Sequence, residues 1–480
     1  MKKTLILASA LIAPMVSANV YQNAVTTLEN APAEVKAVMK AAPTSYEFNS
    51  QFTRSSSVSY TGQVFRNVLM NDIKGAMTSQ TRGGYAGTVE EAKNMILSYY
   101  NYNENTDLTG LGVIDGFSQF RISPKGLNGS SIPAFEFFYS DIQSPGKNLY
   151  SKLAGVDNPL RRGKVFGLSG FNTPEEVFNA WFEAYAKNAV EGTVFSVPNG
   201  SLPAQKINAA HISEEGLDYA QLTQKFLYGA VSYSQAARDY LSTDLGPTKG
   251  LNADNTKPAK AGAAYTAMEH HFDEGFGYFG AARDYLAYTD SEARNKLSRD
   301  TDNDGMISIL TEYNGGIAPN AARVDLTAAD QNLDLNTEIM TAFLQGRELI
   351  TKKPADYKKY VVAQAQVVLS GWEKVLAAIT IHYINVTLKE YTEYGTQEYL
   401  FKDFVKFWGE MKGFALAFQF SPQALMADAT FDEVHALMGD KPVLPHATKE
   451  EVASYMAGLE KARELMRKTY NFSVNNTLNW

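Results

Sequence analysis

An all-α fold built of packed helical bundles is what this chain predicts, and three observations lead there. Apolar residues recur at helical spacing over long stretches, helix-start signals stand in front of them, and strand signals are few. No repeat of 20–50 residues is visible, so a solenoid is excluded. The 480 residues are 45% hydrophobic and 12% aromatic, a globular composition with enough bulk for two or three well-filled cores. A net charge of -8 supplies no basic field for nucleic acid.

The elements follow in order. Lys2 and Lys3, the apolar run Leu5–Ile12 and the small residues Val16-Ser17-Ala18 read as a signal peptide, residues 1–18, with cleavage after Ala18. No second segment approaches the length of a membrane span, so a periplasmic or secreted protein is expected. Residues 19–45 form a helical leader. A first helical region, 46–241, contains a helix over 62–77, a capping box at Thr88/Glu91 and another helix start at Thr173-Pro174-Glu175-Glu176. Residues 104–170 are a long irregular insertion rich in Gly, Ser and Pro, and residues 193–213 break the pattern again. A long helix spans 216–241, followed by a polar linker over 242–260. The second bundle region, 261–470, has helices at 261–288, 329–352, 355–391, 394–419, 422–438 and 449–470, the last opened by Thr448/Glu451. Residues 471–480 are a tail, read as a short strand or ordered coil.

With no cysteine, disulfides, thiol catalysis and thiolate metal sites are excluded, so any metal must be held by oxygen and imidazole. The segment Asp300-Thr301-Asp302-Asn303-Asp304-Gly305 matches the start of an EF-hand loop. Alternating aspartates direct hard oxygen ligands to one side, Gly305 permits the sharp turn, and the Met306 carbonyl and Ser308 hydroxyl, or a water, follow. Thr311 stands where a bidentate glutamate is expected, and Glu312, one residue later, is the substitute. Calcium is the expected ion. The alternative is a solvated acidic turn.

The densest chemistry is Glu269-His270-His271-Phe272-Asp273-Glu274. On a helix, Glu269 and Asp273 share a face, as do His270 and Glu274, and His271 lies three residues before Glu274. Such spacing holds metals in helical bundles, and imidazole with carboxylate suits iron, zinc or manganese. Adjacent histidines point about 100° apart, so a structural polar network is the alternative. His382 and Glu410, each in an apolar helix, are the possible remote ligands. Glu410 needs a partner if buried, and Arg347 is a candidate. His211, His435 and His446 are assigned no role. HExxH, GxSxG and a phosphate-binding loop are missing, so no catalytic residue is named.

YEFNSQF…SVSYTGQVFRNVL, KFLYGAVSYSQAARDYL, AYTAMEHHFDEGFGYFG, the DxDxDG loop, FLQGRELI, IHYIN and GEMKGFALAFQFSP occur in this order. Together, from about residue 46 to 440, they resemble the secreted bacterial family of domain of unknown function 4856. That family is distantly similar to imelysin-like proteins, which are helical, tied to iron uptake and marked by GxHxxE. His271 and Glu274 supply HxxE here, with Glu269 where glycine is expected. The resemblance implies a helical periplasmic protein with a metal-related role and supplies no activity. The expectation is an exported metal-binding accessory protein in iron handling, working with metal ions and an envelope or outer-membrane uptake protein. A non-enzymatic envelope or substrate-binding protein is the alternative, and a metallopeptidase ranks below both.

Overall fold

The computed structural model describes residues 13–103, 124–133, 146–330 and 333–480. Its helices are α1 Ala13–Glu29, α2 Ala33–Lys40, α3 Thr61–Thr78, α4 Val89–Tyr100, α5 Pro174–Glu191, α6 Tyr219–Leu227, α7 Ala267–Phe279, α8 Asp290–Arg294, α9 Ala318–Leu326, α10 Leu335–Lys352, α11 Tyr357–Glu393, α12 Phe401–Ala415, α13 Asp428–Met438, α14 Lys449–Tyr470 and α15 Val474–Asn479. The strands are β1 Lys125–Gly126, β2 Phe195–Asn199, β3 Leu202–Ile207 and β4 Leu297–Ser298. β2 and β3 form an antiparallel hairpin, and β1 pairs with β4 in parallel. The chain is therefore predominantly helical, as its periodicity requires.

The capping boxes at Thr88/Glu91, Thr173/Glu176 and Thr448/Glu451 are all formed, each threonine accepting from the N3 backbone N–H. These caps satisfy amides that have no partner inside the helix. Several boundaries differ from expectation. The stretch 261–288 yields α7, which ends where Gly280 takes a left-handed φ of 82°, and a 3-10 turn at Tyr285–Ala287. Part of 193–213 is the β2–β3 hairpin, turning at Gly200-Ser201, with φ 59° at the glycine. The tail is neither strand nor coil, since residues Val474–Asn479 are helical under a Ser473 cap. Residues 1–12 of the expected signal peptide lie outside the described residues, and so does most of 104–145. Of the insertion, 124–133 and 146–170 carry only β1 and one 3-10 turn at Tyr150–Lys152.

α11 is the axis of the bundle and packs against α1, α9, α10, α12, α14 and α15. At 37 residues it is long and apolar enough to cross a membrane, contrary to the expectation that no such segment exists, yet 89% of its most apolar stretch is buried inside the protein. Its mid-helix Glu373, 1% exposed, is fully hydrogen-bonded. The carboxylate accepts from the Tyr233 and Tyr470 hydroxyls at 3.0 and 2.9 Å and from the Leu425 and Met426 amides, both at 3.0 Å. Burial pushes this carboxyl up, and those donors pull it back toward the charged form.

α6 continues beyond Leu227 as π-helical turns over Tyr228–Tyr233 and Gln235–Tyr240. The wider winding sends three buried tyrosines to separate partners. Tyr228 stacks on Phe414, Tyr233 reaches Glu373, and Tyr240 faces His271 and Tyr278. α6 also lies hard against α12, where a Cβ on Gly413 would come within 2.6 Å of the Lys225 Cβ. Gly413→Ala should gain about 1 kcal/mol of helix propensity. Overpacking against that rigid neighbour costs roughly 1–3 kcal/mol. A net loss of stability in urea denaturation is therefore expected, and a gain would show that the helices can part.

Candidate functional site

Thr266 caps α7, accepting from the Glu269 amide at 3.2 Å, while one Glu269 carboxylate oxygen accepts from the Thr266 amide at 2.8 Å. Glu269 is thus a capping residue, and the Thr266-x-x-Glu269 spacing is the signal in the sequence that assigns it. Its other oxygen accepts from Arg347 Nη1 at 3.1 Å. Asp273, one turn on, accepts from Arg347 Nε at 2.9 Å and from the Tyr46 hydroxyl at 2.9 Å. The Ser59 amide reaches its second oxygen at 3.2 Å, and Arg347 Nη2 donates to Ser57 Oγ at 2.7 Å. All three charged side chains are 0% exposed. Both carboxylates do share a face, as their spacing requires, but a guanidinium occupies it. Asp273 and Glu269 hold the guanidinium pKa up against the effect of burial, so Arg347 stays charged. Burial itself pushes the Asp273 carboxyl up, opposed by Arg347 and Tyr46.

The remaining members of the cluster diverge. His270 stacks on Tyr265 at 4.5 Å, its Nδ1 contacts the Ser59 carbonyl at 3.0 Å, and its Nε2 lies 3.9 Å from Glu274. Glu274 accepts from Gln63 at 2.8 Å. His271 turns away from Glu274, and its Nδ1 contacts the Gly250 carbonyl at 3.1 Å. His382 accepts from Arg323 through Nε2 at 2.5 Å. Burial and the Arg323 charge lower its pKa to about 4. Glu410 pairs with Lys225 at 3.3 Å, so Lys225, not Arg347, is its cation. Arg347 is already committed to Glu269 and Asp273. The structure does not bring His271, Glu274, His382 and Glu410 together on one point.

Among the described residues, a group of three or more carboxylates and imidazoles close enough for one ion occurs at Asp300, Asp302 and Asp304, whose ligand atoms lie within 4.8 Å of one another. Asp300 is half-buried and the other two are exposed. Backbone amides shape the curl. Asp304 and Gly305 donate to the two Asp300 oxygens at 3.1 and 2.9 Å, and Met306 donates to Asp304 at 2.8 Å. Gly305 takes φ 88°, the turn for which glycine is required. Glu312, 2% exposed, faces back under the loop. It accepts from the Thr301 amide at 2.6 Å and the Ser308 amide at 2.9 Å. Ile307 is fully buried, and its amide donates to the Pro133 carbonyl at 2.8 Å.

The loop departs from an EF-hand, because the flanking helix pair is missing. α8 has five residues and ends before Lys296, whose φ is 54°. After the loop, Asn314-Gly315-Gly316, with φ 52° at Gly316, postpones helix formation to Ala318. For Asp302, the Asp304 amide lowers the pKa, while partial desolvation and the charges of Glu312, Asp304 and Asp300 raise it, and the net direction is upward. The three carboxylates repel one another, and the Asp304 and Gly305 amides offset part of that repulsion.

Two outcomes are expected. Arg347→Met leaves Glu269 and Asp273 buried without a cation and should cost roughly 3–5 kcal/mol in urea denaturation. Adding Glu269→Gln and Asp273→Asn should recover part of that loss. His382 remains neutral in the folded protein down to about pH 4, whereas the unfolded chain takes up its proton near 6.5. The stability it contributes is therefore present above pH 6.5 and lost as pH falls from 6.5 toward 4. His382→Gln should flatten that part of a stability-versus-pH curve.

The sequence profile of one family, described as domain of unknown function (DUF4856), matches residues 168–441, which include α5 to α13 and the whole aspartate loop. No curated protein and no solved structure matches the chain. The matched stretch also holds α7, Arg347, Lys225 and Glu410, so the geometry described above falls on family sequence, and the chain belongs to the DUF4856 family.

Proposed function

We propose that this protein is an exported, non-catalytic accessory protein whose Asp300–Asp304 loop takes a calcium ion. The carrying observation is the convergence of three carboxylates, their ligand atoms within 4.8 Å of one another, on a loop curled by its own backbone amides. An all-oxygen, partly exposed donor set suits a hard divalent cation better than iron or zinc, which favour imidazole. The ion acts as a clip. It neutralises the loop that carries Ile307 and, through it, the backbone at Pro133. Signal-peptide cleavage after Ala18 and a periplasmic or secreted location belong to the same reading.

Iron or zinc handling with an envelope uptake protein is the second reading. It draws on the imelysin likeness and on the His270–Glu274 pair, whose histidine side chain is 30% exposed. Two ligands form an incomplete site for either metal, so this reading ranks below calcium.

Calorimetric unfolding in EDTA and in millimolar calcium decides between them. Extracellular calcium loops bind at about 10⁻⁴–10⁻³ M. A tenfold excess over Kd should therefore stabilise the wild type by about 1.4 kcal/mol. Asp302→Ala should lose that gain. Calcium-independent unfolding, with stoichiometric iron or zinc that disappears in His270→Ala, would replace the calcium reading with the metal-handling one.

A further inference from the structure

Three segments meet where α10 gives way to α11. Asn255 Nδ2 donates to the Ile350 carbonyl at 2.8 Å and to the Tyr357 hydroxyl at 3.1 Å, which sets residues 254–260 against the turn between the two helices. Lys353, in that turn, donates to Gln51 Oε1 at 3.1 Å and brings in the loop 50–56. None of these residues belongs to the aspartate loop.

The charges there are one-sided. Residues 352–359 carry Lys352, Lys353, Lys358 and Lys359 against Asp356. The loop 50–56 adds Arg54, and 254–260 adds Lys257 and Lys260 against Asp254. Asp254 is partly spent on its own turn, accepting from the Thr256 amide and hydroxyl at 2.8 and 2.7 Å. Lys257 lies 3.8 Å from Asp254 and Lys352 lies 3.7 Å from Glu348, but both lysines are largely exposed, so these pairs are weak. Among the described residues, Arg54, Lys260, Lys358 and Lys359 have no ion pair. On a chain of net charge -8 this concentrates the minority sign. Some of these positions also run against local stability. Lys358 and Lys359 stand in the first turn of α11, which holds no acidic residue and whose N-cap, Asp356, makes no side-chain cap. A helix N-terminus disfavours cations. Lys353 takes a left-handed φ of 53° after α10, a position that suits glycine. Helix stability therefore does not account for lysine at these places, and an anionic partner does.

Phe52 supplies the second half of the surface. Asn49 and Ser56 form a β-bridge, and Ser50 Oγ accepts from the Phe52 and Thr53 amides, both at 3.0 Å, so the loop is a tight turn. Residues 51–56 are all exposed. Phe52 is 37% exposed, and no other Phe, Tyr or Trp among the described residues is as exposed. We propose that this end of the α10–α11 pair docks on an anionic lipid surface, with Lys353, Lys358, Lys359 and Arg54 on the headgroup phosphates and Phe52 in the interface. Basic side chains are drawn to anionic lipid, and an aromatic ring settles at headgroup level. Either signal alone binds weakly, and the two together give reversible attachment. A soluble polyanion would need the cations only, and the presented ring is what favours lipid.

The test is co-sedimentation of the mature protein, residues 19–480, which lacks the apolar run Leu5–Ile12. The vesicles are phosphatidylcholine with and without phosphatidylglycerol, in EDTA so that the aspartate loop takes no part. Binding to the anionic vesicles several-fold above the neutral ones, weakened by added salt, is expected. Lys358→Glu/Lys359→Glu should reduce it by roughly tenfold or more. The same variant should melt no lower than the wild type, because acidic residues suit a helix N-terminus. Phe52→Ser should lower binding several-fold, and Lys187→Glu, an exposed charge reversal on α5, should leave it unchanged. No preference for anionic vesicles, or binding unchanged in Lys358→Glu/Lys359→Glu, overturns the proposal. Binding indifferent to Phe52→Ser and displaced by soluble polyphosphate marks a general polyanion surface and overturns the lipid assignment.

Discussion

Arg347 is buried completely between two carboxylates of α7, and much of the surrounding architecture is arranged so that this charge is tolerable. A guanidinium removed from water needs nearly every donor used. Here Glu269, Asp273, Ser57 and Thr351 take its N–H groups, from three separate parts of the chain. The segment around Tyr46–Ser59 is thereby fixed to α7 and α10 although it has almost no regular structure of its own. Tyr46 adds a stacked contact with Phe276 at 3.9 Å, so apolar burial and the ionic clamp act on the same segment. The triad carries a formal charge of minus one when both carboxylates are ionised. The hydroxyls and amides around Asp273 are what make that charge acceptable.

The helical class and most of the long helices were legible because a 3.6-residue period and capping boxes are local properties of sequence. α3, α5 and α14 begin within a residue or two of their signals. The β2–β3 hairpin escaped the sequence reading, in which 193–213 is only a break, because Pro198, Pro203 and the short strands mask the alternation. α7 was read too long because Gly280 is one glycine among several, and only the backbone reveals which of them is left-handed. The winding change in α6 leaves no local mark, since it answers to what Tyr228, Tyr233 and Tyr240 meet across the core.

For the candidate sites, spacing gave the correct faces and the wrong occupants. Glu269 and Asp273 do point together, as i and i+4 must. The residue they meet is an arginine 74 positions or more away, and long-range pairing of that kind is invisible to local pattern. His271 and Glu274 separate because the Gly250 carbonyl and Gln63 compete for them. The aspartate triad was readable because all of its ligands lie within one loop. The absence of flanking helices depends on Lys296 and the two glycines after Asn314, and it appears only in three dimensions.

The polar side chains strung along α11 have a consequence outside the folded state. For a chain that leaves the cytoplasm unfolded, the translocation channel meets this helix before any tertiary contact exists, and its length and apolarity are those of a stop-transfer signal. A carboxylate near the middle of such a segment raises the cost of partitioning into lipid by about 2.5–3.5 kcal/mol. Glu373, with Lys374 beside it, sits there. On the export route proposed above, the group that the finished protein satisfies with two tyrosines and two amides would also oppose lateral escape into the bilayer.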